Sequence, residues 1–211
     1  MKRFKKLIIA CDGESASGKS TAAKLISKKY NLLLINSGLL YRYGSKLIIS
    51  KKPKNIYSFL KKQFKNTSYK KISSQNLHSE QISNHVAILA KNKKVRKIVN
   101  QFQKKIIKKN KKICVEGRDI ASKILSRNPK YDIAFYFKCN LEIASKRRWK
   151  DIKKKIPLNM VKKSLKMRTS SDKKRKNSPL IKVDDAILIR TDKLSKKEVL
   201  LKMSKSIDKI I

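Results

Sequence analysis

Gly13-Glu14-Ser15-Ala16-Ser17-Gly18-Lys19-Ser20, followed by Thr21, fits the pattern G-x-x-x-x-G-K-[ST] without a gap. The stretch reads as a phosphate-binding loop. An ordinary glycine-rich turn is the competing reading, and the flanks decide between them. Lys6 to Cys11 (KLIIAC) is an apolar run of strand length, and Ser20 to Tyr30 carries Ala22, Leu25 and Ile26 at helical spacing. Strand, loop and helix in that order are what the chemistry requires. The glycines let the backbone turn tightly so that several N–H groups face one point, and the helix that starts there adds its positive dipole end. Polyphosphate is the guest that suits such a place. Lys19 would meet the outer phosphates as a point charge, and the Ser20 hydroxyl would ligate the Mg²⁺ that accompanies ATP. Gly13, Glu14, Ser15, Ala16, Ser17, Gly18, Lys19, Ser20 and Thr21 form the candidate ATP site, with Lys19 a candidate catalytic residue and Ser20 the candidate metal ligand.

The chain of 211 residues suits one α/β domain with a small inserted arm. Its 57 Lys and Arg against 14 Asp and Glu give a formal charge of +43. The lysines recur in pairs and triplets along almost every segment, from Lys5-Lys6 to Lys153-Lys155. Aromatic residues stand apart from the densest runs, which reads as a solvated coat with incidental affinity for nucleic acid, not as a dedicated nucleic-acid surface. Cys11, Cys114 and Cys139 lie in or at the end of strand candidates and form no C-x-x-C pair. They read as reduced core residues of a cytoplasmic protein. Met1 to Cys11 is basic and then apolar, like a leader, but its apolar run is short and leads straight into the phosphate loop. No stretch reaches membrane-spanning length.

Further along, Leu32-Leu33-Leu34-Ile35, Ile113-Cys114-Val115, Ile133 to Phe137 and Ala186 to Ile189 are apolar strand candidates, giving five with the first. Helical spacing appears at Leu39 to Leu47, at Ile82, Val86 and Leu89, at Val95, Val99, Phe102 and Ile106, over Leu141 to Ile152, and at Val199, Met203, Ile207 and Ile210. Ser50 to Leu77 reads as a partly helical arm, and Lys150 to Pro157 as a lysine-rich lid. Met160 to Lys176 reads as a helix that gives way to a charged loop holding Arg168, Asp172 and Arg175. Alternating strands and helices after a phosphate loop predict a doubly wound five-stranded parallel sheet. Ligands of such sheets bind at the carboxyl edge, where Glu116-Gly117-Arg118-Asp119 follows the third strand candidate.

These residues resemble the bacterial cytidylate kinases, in the nucleoside monophosphate kinase group of P-loop enzymes. The resemblance covers nearly the whole chain. It is carried by Asp12 to Thr21, Ser37-Gly38, Tyr41-Arg42, Val95-Arg96, Gly117-Arg118-Asp119-Ile120, Arg147-Arg148, and the set Arg168, Asp172, Arg175, Pro179-Leu180. It implies transfer of the γ-phosphoryl group of ATP to CMP or dCMP with Mg²⁺. Ser37, Arg42 and Arg118 would then bind the acceptor, the last two through its phosphate. Arg96 and Asp119 would read the cytosine, and Arg168 and Asp172 would address the sugar. Arg118, Arg147 and Arg148 would stabilise charge during transfer. It further implies a single kinase domain over residues 1–211 with a monophosphate-binding insertion at about 50–93 and a lid at about 150–157, acting as a monomer in the cytoplasm. The chain departs from the family pattern at Asn36 and Glu116, where Asp is usual, at Ala87 (Ser), and at His78 and Ser171 (Arg). The competing functions are another small-molecule kinase on this fold and a basic nucleic-acid-binding protein that retains the fold.

Overall fold

The computed structural model describes residues 5–211. Met1 to Phe4, the basic head of the leader-like stretch, lie outside the described residues. The strands are β1 (Leu7–Gly13), β2 (Leu33–Asn36), β3 (Lys112–Glu116), β4 (Ile133–Lys138) and β5 (Ile187–Arg190). They form one parallel sheet in the order β2-β3-β1-β4-β5, as the alternation of elements predicts. Every residue of β1 is buried, because a central parallel strand is covered on both faces. The register sets Cys11 beside Glu116 and Gly13 beside Phe137, which brings the carboxyl ends of β1, β3 and β4 level.

The helices are α1 (Lys19–Lys29), α2 (Ser37–Lys51), α3 (Ile56–Lys65), α4 (Tyr69–Ser73), α5 (Glu80–Leu89), α6 (Lys93–Lys108), α7 (Leu141–Asp151), α8 (Leu158–Lys173) and α9 (Lys196–Ile207). The chain divides into two compact units, Met1–Leu34 with Lys111–Ile211, and Ile35–Asn110. In the first, Ile26 of α1 and Met203 and Ile207 of α9 pack with Leu7, Ile9, Phe135, Phe137 and Ile189 of the sheet. Leu165 and Val161 of α8 pack with Ala144 of α7 in a smaller cluster. In the second, Leu40, Leu60, Ile72 and Leu77 are fully buried together. Truncating any one of them to Ala would cost about 2–5 kcal/mol.

The polar stretches of the second unit that obscure its helices in the sequence contain their start signals. Asn55, Ser68, Ser79 and Asn92 each accept a backbone N–H at the first turn of α3, α4, α5 and α6. Asn36 does the same for α2, taking the Leu39 N–H at 3.2 Å. Asn caps as well as Asp, so this departure from the family pattern keeps the helix start.

One element differs from the sequence expectation. Helix α8 runs on through Arg168 and Asp172, and of the three charged residues placed in a loop only Arg175 lies beyond the helix. The buried stripe Val161, Leu165 continues at spacings of four and three into Thr169 and Asp172, which are polar and find polar partners. The face is continuous, but its apolar signal stops halfway.

Candidate active site

The first unit places the phosphate loop at the carboxyl edge of β1. A Cβ on Gly13 would fall 2.4 Å from the Phe137 carbonyl oxygen, so only glycine lets the loop leave the sheet here. Ala16 at φ 56° and Gly18 at φ 78° take left-handed backbone, and α1 begins at Lys19. Alternating backbone hands curve consecutive N–H groups into a concavity that suits an anion. Within the loop the Ser17 hydroxyl donates to the Glu14 carbonyl at 2.9 Å.

Lys19 and Ser20 both meet Glu116 at the end of β3. Lys19 Nζ donates to Glu116 Oε2 at 2.8 Å and Ser20 Oγ donates to the same oxygen at 2.6 Å. Burial lowers the Lys19 ammonium below the usual lysine range, although Glu116 opposes the shift. Burial alone would raise the Glu116 carboxyl, but the Lys19 charge and the hydrogen bonds from Lys19 and Ser20 outweigh it and hold the group below its usual range. A hydroxyl and a carboxylate within hydrogen-bond reach are hard oxygen donors, the type that binds Mg²⁺ beside phosphates. The residues present fit that ion.

Asp12, just before the loop, is buried and accepts from the N–H groups of Ile120 and Ala121 at 2.9 and 2.8 Å. It thereby fixes the single wide turn Ile120–Ile124 that follows Asp119. Burial pushes the Asp12 carboxyl up to about 6, despite the two amides that favour its charge. Arg118 Nε donates to Asp172 Oδ2 at 2.8 Å, and Arg175 donates to the other carboxylate oxygen. Burial would raise Asp172, yet the two guanidinium groups hold it below the usual carboxylate range. Arg118 also reaches Ser15 Oγ at 3.4 Å, which ties the segment after β3 to the phosphate loop.

The first unit thus brings Lys19, Ser20, Arg118 and Asp172 together with the loop. Asp119 is buried at the start of the wide turn. The Arg147 guanidinium donates to Thr191 O at 2.8 Å, Asp192 O at 3.3 Å and Thr191 Oγ1 at 3.3 Å. Arg148 and Arg168 are exposed on α7 and α8. In the second unit Ser37 is buried at the start of α2, and Arg42 donates to Leu77 O at 3.1 Å and Ser83 Oγ at 2.9 Å. Arg96 is buried, donates to Ala90 O at 3.1 Å and lies over the Tyr41 ring, 5.6 Å from its centroid. Ala87 and His78 are exposed.

Thr169 and Lys173 at the loop escaped the sequence reading. Thr169 Oγ1 accepts the Ser15 N–H at 3.4 Å, and Lys173 pairs with Glu14 at 2.7 Å. The spacing of Thr169 from Leu165 was the available signal. Both residues line a cavity of about 310 Å³ together with Glu14, Ser15, Cys139 and Lys166. Among the described residues no cluster of His, Cys, Asp and Glu could hold a metal ion unaided, and no helix is long and apolar enough to cross a membrane.

The family model described as cytidylate kinase matches residues 9–209. A bifunctional pantoate ligase/cytidylate kinase of Prochlorococcus marinus (strain AS9601) is 36% identical over 97% of this chain, which spans only 42% of that relative's length. A cytidylate kinase of Mesomycoplasma hyopneumoniae (strain 7448) is 32% identical over 96% of this chain and 93% of its own. Among solved structures, a shikimate kinase from Bacteroides thetaiotaomicron superposes with a TM-score of 0.51 over 96% of this chain and 98% of its own at 8% identity, a likeness of fold alone.

Proposed function

The chain belongs to the cytidylate kinase family, and from that premise we propose that it transfers the γ-phosphoryl group of ATP to CMP or dCMP, giving ADP and CDP or dCDP. The observation that carries the reading is the convergence of Lys19, Ser20 and Glu116 at the phosphate loop, with Arg118 joined to that loop through Ser15.

The loop amides from Gly13 to Thr21 bind the polyphosphate. Lys19 exchanges its contact with Glu116 for the outer phosphate oxygens, where its charge follows the phosphoryl group through the transition state. Ser20 and Glu116 would hold Mg²⁺, which would supply positive charge against the polyphosphate. Arg42 and Arg118 are each assigned to the acceptor phosphate, and Ser37 to the acceptor. Arg96 donates to the cytosine ring acceptors and Asp119 accepts from its exocyclic amine. Arg168 and Asp172 address the sugar, and Arg147 and Arg148 steady the charge in flight. Positioning and electrostatics carry such a transfer, so no general base is required. The Ile35–Asn110 unit contains the monophosphate-binding insertion, and residues 150–157 belong to a lid that excludes water. We assign the protein to the cytoplasm as a monomer.

Mixing the protein with ATP, Mg²⁺ and CMP should yield ADP and CDP in equal amounts. ADP formed at the same rate without an acceptor, or salt-sensitive nucleic-acid binding with no transfer at all, would overturn the reading.

A further inference from the structure

Thr191 stands directly after β5, is 3% exposed, and belongs to no motif. Its polar atoms nonetheless meet three different parts of the first unit. The Thr191 N–H donates to Lys138 O at the end of β4 at 3.0 Å. Its Oγ1 donates to Ser17 O in the phosphate loop at 3.0 Å. Arg147 of α7 donates both to Thr191 Oγ1 and to Thr191 O.

The direction of this chain of bonds is forced. A guanidinium can only donate and a carbonyl can only accept, so the single hydroxyl proton of Thr191 must lie on Ser17 O while its lone pair takes the Arg147 N–H. The Ser17 carbonyl shares one rigid peptide plane with the Gly18 N–H, and in a trans peptide the two point in opposite directions. Holding the carbonyl toward Thr191 therefore aims the Gly18 N–H away from Thr191. Gly18 sits at φ 78° and, as glycine, rotates easily, so an external anchor is what keeps this plane in one orientation.

We propose that Thr191 is a positioning residue for the phosphate loop. Its hydroxyl holds the Ser17–Gly18 peptide so that the Gly18 N–H faces the polyphosphate, and Arg147 fixes the direction of that hydroxyl. Beside its proposed part in the transfer, Arg147 thus acts on ATP through Thr191. The proposal rests on the reading of the loop as an ATP site.

The test is calorimetric titration of the full chain with the Mg²⁺ complex of a β,γ-imido ATP analogue and, separately, with CMP. Thr191→Val keeps the shape and removes the hydroxyl, and Thr191→Ser keeps the hydroxyl and removes the methyl. Loss of one hydrogen bond predicts analogue binding weakened by about tenfold in Thr191→Val. Thr191→Ser should bind within about twofold of wild type, since it keeps that bond, and CMP affinity should be unchanged in both. If the valine variant does not fold, Thr191→Ala takes its place with the same expectation. Analogue binding by the hydroxyl-free variant as tight as wild type overturns the proposal, as does an equal loss in Thr191→Ser or an equal loss for CMP. Wild type that binds CMP but not the analogue overturns the ATP reading, and the proposal with it.

Discussion

Lys19 Nζ and Glu116 Oε2 lie 2.8 Å apart, and both side chains are withdrawn from water at 7% and 2% exposure. The Lys19 charge is balanced by the Glu116 carboxylate, and Ser20 donates to the same oxygen.

Lys19→Ala should lower phosphoryl transfer by at least about a hundredfold, because a charge aimed at the transition state is lost. It should also destabilise the fold by about 3–5 kcal/mol, since Glu116 is left buried without its partner. Adding Glu116→Gln should restore part of that stability and none of the activity. Denaturant titration of the single and double variants measures the coupling. Independent, additive losses would mean that the pair does not form.

The sequence made the loop, the five strands and the apolar stripe of α6 legible because each writes its period in apolar residues or in a fixed motif. What it hid was polar. The second half of α8 shows no stripe, since Thr169 and Asp172 replace leucine-like residues on the buried face with groups that bond Ser15 and Arg118. The engagement of Arg147 with Thr191 joins positions 44 apart, and no local pattern announces it. The Asp12 cap of the wide turn after Asp119 spans 108 positions for the same reason.

Asp12 sets a pH dependence of its own. Burial raises its carboxyl from 3.8 to about 6, so between those values the folded protein holds a proton that the unfolded chain releases. Its contribution to stability must fall as pH rises from about 4 to about 6 and level off above, by about 3 kcal/mol in all. Glu116 and Asp172 shift the other way, and their contributions are lost only as pH drops through their lowered values. Denaturation of wild type and Asp12→Asn from pH 4 to 7 isolates the effect, with the wild type losing ground to the variant across that window. A difference independent of pH would show that Asp12 does not titrate there.

Arg118→Ala and Arg42→Ala should weaken CMP far more than ATP, by about tenfold or more for each lost charged hydrogen bond. Asp172 keeps Arg175 when Arg118 is removed, so the first variant should still fold. Separate titrations of the two nucleotides decide the matter, and equal losses for both would place these arginines on the wrong substrate.

Ala87 and His78 are exposed in the second unit, at positions where the resemblance to the family implies Ser and Arg. Restoring both should lower KM for CMP by tens to hundreds of fold, from hydrogen bonds worth about 0.5–3 kcal/mol, and leave KM for ATP unchanged. Ser83 on the same helix already holds Arg42, at 2.9 Å. Steady-state kinetics of the double variant test the point, and an unaltered KM for CMP would mean that Ser83 or its neighbours supply what Ala87 and His78 lack.

The most direct measurement is kcat/KM for ATP-dependent phosphorylation across CMP, dCMP, UMP, dTMP, AMP and GMP. On the proposed assignment of Asp119 and Arg96 to cytosine, CMP or dCMP should lead the series, with AMP and GMP far behind. Preference for a purine monophosphate, or no transfer to any of the six, would contradict the assignment.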